Sequence, residues 1–236
     1  MDTSRLAVFS PVHSTARVDA VVRRLTDAIG LGLLADGEQL PSETELAGRF
    51  GVSIVTLREA LVDLRRQGLV ETRRGRGGGS FVRTPAFDLG VRLRSFAADE
   101  LRDLGDHYAA IGGAAARLAA ERSLPGDVAP LFRSLEEMSR VRSAAQLRGL
   151  DGRFHIEVAA ASQSARLTQE EIRLQADLGP LVWQCHEHPA GRRLAQAEHL
   201  AIAEAVRRGD GGDARNLAER HVLDAIGQLI DLRLTL

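Results

Sequence analysis

Residues 40–82 read LPSETELAGRFGVSIVTLREALVDLRRQGLVETRRGRGGGSFV. Ser42, with Glu45 three residues on, opens a helix in capping-box fashion, and the helical pattern runs from Glu43 to Phe50. Gly51-Val52 makes a tight turn. A second helical pattern runs from Ile54 to Gln67, with Leu57, Ala60, Leu61 and Leu64 forming its apolar back. Two short strands, 69–73 and 79–83, then bracket a glycine- and arginine-rich tip. Helix, turn, helix and hairpin make a winged helix, a layout that docks on duplex DNA.

The chemistry of the segment agrees with that layout. The second helix presents Ser53, Ile54, Thr56 and Arg58 near its N-terminus, the end of a recognition helix that reaches base edges. Arg58 suits a phosphate or a guanine edge, Thr56 a hydrogen bond, and Ile54 a thymine methyl. An intrahelical pair with Asp63 is the competing use for Arg58. Ser42 and Thr44, at the start of the first helix, are further candidates. Arg73, Arg74 and Arg76 stand around a glycine tip where Gly77 and Gly78 let the backbone approach a groove, while the arginines neutralise phosphate.

Outward from this segment, an apolar 3.6-residue period predicts a helix over 16–34, closed by Asp36-Gly37. Residues 1–15 lack a period and read as a flexible arm. Pro85 marks a linker over 84–96. Beyond it nearly everything is helical by pattern, with helices expected at 97–122, 127–142, 144–161, 165–187, 191–208 and 212–234. The fold class is therefore mainly α. A winged-helix domain over 16–83, with a small β-hairpin wing, precedes an all-α bundle over 97–236 that is large enough to enclose a ligand.

The totals are consistent with this division. The chain has 236 residues, 44% of them hydrophobic, and a net charge of −1. That balance excludes a wholly basic nucleic-acid protein. Residues 1–84 hold 12 Arg against 10 acidic side chains, and the rest 19 Arg against 22. Every basic residue is Arg. Cys185 is the single cysteine, so no intrachain disulfide can form. No apolar run approaches the roughly 18 residues of a membrane span. The expected setting is the cytoplasm.

Histidines supply a second candidate site. Asp151 and His155 lie four apart and share a helix face. His199 and His221 sit on two later helices among apolar residues. One carboxylate and three imidazoles can hold a divalent ion, although a lone histidine on a part-apolar face is more often a satisfied core residue. His186 and His188 read as a surface pair at a helix end, and Trp183 as core or dimer interface. His107 faces either cavity or solvent.

These segments resemble a known family. Leu40-Pro41-Ser42-Glu43, Glu45-Leu46-Ala47, Gly51-Val52-Ser53, Leu57-Arg58-Glu59-Ala60-Leu61, Gly68-Leu69-Val70 and Phe81-Val82 resemble, without a gap, the winged helix of GntR-type bacterial transcription regulators. Arginines common in that family are replaced by Thr44 and Ile54, which implies an altered operator. The helical half resembles the FCD effector domain of the FadR-like subgroup. The matching residues are Asp151 through His155, His199 with Ile202, Ala205-Val206, Gly209-Asp210, Ala214 and His221. The resemblance implies that Asp151, His155, His199 and His221 are metal ligands, for zinc foremost, with Ni, Mn or Fe also compatible.

Departures mark the effector side. Tyr108 and Gly112 stand where the family often has Arg and Glu, and Ser164 where it has Asn; these three are the effector-contact candidates. Gly112-Gly113 leaves either space for a ligand or a local kink.

The expected function is a DNA-binding regulator, a repressor by resemblance. A homodimer would meet a double-stranded operator, tuned by a small organic-acid effector near the metal. A constitutive regulator with a degenerate effector site is the rival, and a metalloenzyme a remote one.

Overall fold

In a computed structural model, the described residues are 17–31, 33–75, 77–83, 89–141, 143–186 and 188–236. The expected arm 1–15, the linker's first half (84–88) and Arg76 lie outside them. Two compact units divide the chain between Ala86 and Phe87.

The first unit holds helices α1 (Arg17–Gly30), α2 (Glu43–Phe50) and α3 (Ile54–Arg66), then strands β1 (Val70–Arg73) and β2 (Gly79–Val82). Its core joins Leu57, Leu61 and Leu64 of the predicted apolar back to Val21, Leu25, Leu46 and Phe50, all at most 1% exposed. Helix α1 stops at Gly30, short of the expected Leu34. Leu31, Leu33 and Leu34 remain buried in the turn that follows, so the apolar pattern outlasts the helix. The antiparallel wing pairs Val70 with Val82 and Arg73 with Gly79. At its tip Gly75 and Gly77 take φ of 98° and 86°, left-handed values that glycine adopts without steric cost.

The regular structure of the second unit is all helix among the described residues: α4 (Leu89–Ser95), α5 (Ala98–Arg122), α6 (Pro125–Arg140), α7 (Ala144–Ala161), α8 (Ala165–Cys185), α9 (Pro189–Arg208) and α10 (Gly211–Thr235). The segment 89–95 was expected to be linker. It is helical because Leu93, fully buried, joins the core with Leu101, Leu178 and Leu229. The helices expected from 127 and 191 each begin two residues earlier, at Pro125 and Pro189, the first residues of α6 and α9. Proline is preorganised for that position, where its missing N–H costs no bond.

Helix α5 runs unbroken through Gly112-Gly113. A Cβ on Gly113 would fall 2.5 Å from Glu219 Cγ, while one on Gly112 would meet only Val222, at 3.9 Å. The glycine at 113 therefore serves the close approach of α10, neither of the uses expected from the sequence. Elsewhere in the unit α7, α9 and α10 bring His155, His199 and His221 together.

Candidate metal centre and nucleic-acid interface

Helix α7 places Asp151 and His155 one turn apart, α9 supplies His199 and α10 supplies His221. One ligand atom from each imidazole lies within 4.8 Å of the others. His199 Nε2 is 3.2 Å from His221 Nε2 and 3.7 Å from Asp151 Oδ1. Two nitrogens bound about 2.05 Å from one ion sit roughly 2.9–3.4 Å apart across octahedral to tetrahedral angles. The His199–His221 spacing falls in that window. Burial holds the His155 and His199 imidazoles well below their usual range, so both are neutral with a lone pair to offer. Burial also raises the Asp151 carboxyl to about 6, against an opposing pull from His221.

Glu198, which carries no signal beyond standing beside His199, completes the arrangement. His221 Nδ1–H donates to its carboxylate at 2.6 Å. That bond leaves Nε2 of His221 as the free lone pair, facing His199. A carboxylate behind a ligating imidazole is the usual outer partner of a metal site. The three histidines, then, can form a metal site. Phe154 is fully buried and stacks on His199 with centroids 4.5 Å apart, fixing the ring plane.

The reading of His186 as surface is overturned. It is 5% exposed and its ring lies 6.4 Å from that of His221, because α8 ends against the cluster rather than in solvent. Burial lowers it to about 4. His188 is the exposed member of the pair and caps α9, accepting from Ala190 N–H at 3.3 Å.

Of the three effector candidates, Tyr108 and Gly112 lie one turn apart on α5, with the Tyr108 ring 6.2 Å from that of His155, and Ser164 stands just before α8. Tyr108 is buried on α5 and its hydroxyl accepts from the Gln175 amide, which also donates to Glu171 Oε1 at 3.1 Å. Burial pushes Glu171 to about 7 and Tyr108 well above its usual value. Ser164 accepts from Leu167 N–H at 3.4 Å, at the start of α8. A cavity of about 220 Å³ reaches Asp151 and His199, and none of the three lines it. Its wall instead includes Trp183, Arg193 and Met138.

In the first unit, Ser42 and Ser53 are helix N-caps, accepting from Glu45 N–H at 3.3 Å and Thr56 N–H at 3.0 Å. Thr56 Oγ1 lies 2.8 Å from Ser53 Oγ, so the two hydroxyls at the start of α3 form one unit. Thr44 is exposed. Ile54 is 40% exposed, and Val55, not singled out from the sequence, 64%. Arg58 pairs with Glu43 of α2, Nε to Oε2 at 2.7 Å, while Asp63 is taken by Arg66. On the wing, Arg73 is held by Glu71 at 2.8 Å and lies 4.1 Å over the Phe81 ring. Arg74 is exposed and pairs with no carboxylate among the described residues. Gly78 sits so close to the chain that a Cβ would meet Arg73 O at 2.5 Å. No described helix is long and apolar enough to cross a membrane.

Known proteins share both halves. The gntR family of bacterial regulatory proteins matches residues 17–79, and the FCD domain matches residues 103–224. A Mycobacterium gastri protein designated HTH-type transcriptional regulator RmpR is 39% identical over 97% of this chain and 86% of its own length. The Glc operon transcriptional activator of Escherichia coli K12 is 28% identical over 86% of this chain and 85% of its own length. Among solved structures, E. coli McbR/YncC shares the fold, with a TM-score of 0.54 and 19% identity over 94% of this chain and 99% of that one. GntR regulators bind operator DNA, usually as dimers, and FCD domains bind small-molecule effectors. The chain thus belongs to the GntR family of bacterial regulatory proteins, as a DNA-binding transcription regulator with an FCD effector domain and not an enzyme.

Proposed function

We propose that this regulator is a metal-dependent repressor whose hold on its operator is set by a small organic acid bound beside the metal. One observation carries the reading: three imidazoles from α7, α9 and α10, their ligand atoms within 4.8 Å, backed by the Glu198 carboxylate. Asp151, His155, His199 and His221 would hold the ion. Zinc suits the imidazole-rich set best, and Ni, Mn or Fe remain compatible with it. A bound ion would tie three helices of the 97–236 domain together and present a Lewis-acidic point to a ligand oxygen.

On the DNA side, Ser53, Ile54, Thr56 and Arg58 would enter the major groove. Ser42 and Thr44 would meet the flanking backbone, with Arg73, Arg74, Arg76, Gly77 and Gly78 of the wing lying along the adjacent groove. Two chains would read two half-sites. The effector would act by binding one of two arrangements of the dimer better than the other.

Metal analysis of the purified protein tests the reading. About one divalent ion per chain is expected, released by His155→Ala and His199→Ala. A wild-type chain that takes up no ion from zinc-, nickel- or manganese-supplemented buffer would end it.

A further inference from the structure

Helix α3 opens on Ser53-Ile54-Val55-Thr56-Leu57. No residue of this turn carries an amide or a guanidinium, so none can make the two-point contact by which Arg, Asn or Gln identifies guanine or adenine. Its hydroxyls are spent locally. Ser53 Oγ accepts from Thr56 N–H at 3.0 Å and lies 2.8 Å from Thr56 Oγ1. Leu57 is fully buried in the core of the unit. The turn therefore offers a partner hydrocarbon: Ile54 is 40% exposed and Val55 64%.

Single exposed apolar side chains are ordinary on a protein surface. These two are adjacent, and they stand at the end of a recognition helix that meets base edges. Arg58, one turn beyond Ile54 on the same face, has a side chain 66% exposed. Ile54 and Val55 are both β-branched, with one strongly preferred χ1 rotamer in a helix. Their methyl groups are held in place before DNA arrives, so docking costs them little side-chain freedom.

In the major groove one base presents an apolar group, the C5-methyl of thymine. On the reading that this turn enters that groove, we infer that Ile54 and Val55 select thymine in each operator half-site by covering its methyl. Arg58 and the wing arginines then supply position and affinity, and the apolar pair supplies base identity. Taking one methyl-sized group out of water strengthens binding about fourfold. A dimer on two half-sites squares that factor, to about fifteenfold.

Uracil is thymine without the methyl and forms the same base pair. The promoter fragment upstream of the gene is made once with thymine and once with uracil throughout, and full-length protein is titrated into each by fluorescence anisotropy at fixed salt. Wild type should bind the thymine fragment at least about fivefold more tightly. The double variant Ile54→Ala, Val55→Ala should bind the two fragments within about twofold of each other, with a salt slope equal to that of wild type, since no phosphate contact is lost. Both positions are exposed and alanine favours helix, so thermal unfolding of the variant should match wild type. Equal affinity of wild type for the two fragments would overturn the inference. So would a double variant that keeps the full preference for thymine, which would then come from the altered shape of the uracil duplex. Protein that binds neither fragment fails the operator reading itself, an outcome distinct from binding that ignores the methyl, and the inference falls with it.

Discussion

Glu198 offers a sharp test of how the histidines are organised. Its carboxylate accepts from His221 Nδ1 at 2.6 Å, and that bond holds its own carboxyl below the usual range. Removing such an outer partner costs about 10- to 100-fold in metal affinity. Glu198→Gln keeps an acceptor and removes the charge, so it belongs at the tenfold end. Glu198→Ala removes both and belongs near a hundredfold. These factors correspond to about 1.4 and 2.8 kcal/mol. With zinc in excess over both dissociation constants, the same amounts are lost from folding stability. For a chain of this length, roughly 2–4 °C per kcal/mol converts them to melting temperatures lower by about 3–6 °C and 6–11 °C. Competition with a chromogenic chelator reads the affinity and scanning calorimetry the stability. If both variants take up zinc as wild type does, then His221 does not present Nε2 to an ion, and the assembled centre is wrong.

Other consequences follow from the same geometry. Arg58→Ala breaks an exposed pair with Glu43, so stability should change by less than about 1 kcal/mol in urea titrations. Operator affinity should fall, and if Arg58 touches a phosphate the salt slope should decrease by about one. Ser53→Ala removes the α3 cap and should cost about 1 kcal/mol in the same titration, together with operator affinity, since it frees Thr56.

Zinc affinity should drop about tenfold per pH unit below about 6, where the raised Asp151 carboxyl takes up a proton that the ion must displace. The metal-free fold has mixed signs. His155 and His199 are depressed below 6.5, so their share of stability is lost as pH falls below that value. Asp151 is raised from 3.8 to about 6, so its share is present at low pH and lost as pH rises through that window. Between about pH 6 and pH 4, chelated wild type should therefore lose less stability than chelated Asp151→Asn, read by urea titration at each pH; an equal loss would contradict it.

The winged helix was legible because caps and periodicity speak together there. Ser42 and Ser53 cap the two helices, and Leu57, Ala60, Leu61 and Leu64 pack as their spacing requires. The boundaries that went astray lie where a proline or a buried leucine can be read either way: Pro125 and Pro189 open helices expected two residues later, and Leu31, Leu33 and Leu34 are buried outside a helix. At the metal centre the ligand candidates were visible as a spaced set, since helix periodicity puts Asp151 above His155. What could not be seen was anything depending on which helix faces which. Glu198 behind His221, Glu43 rather than Asp63 beside Arg58, and Gly113 against Glu219 all join residues distant in the chain. His186 and Trp183 were misplaced or left open for the same reason. They end α8, and only tertiary packing says that this end turns inward.

The most direct measurement of the central claim is the affinity of the full-length protein for its own upstream promoter fragment, by fluorescence anisotropy at fixed salt, before and after the metal is stripped and then restored. Coupling between an effector domain and a DNA reader is typically about 5- to 150-fold, and a reversible change of at least about fivefold is predicted here, absent in His199→Ala. Identical affinity in the loaded and stripped states would contradict the proposal that the histidine centre governs operator binding.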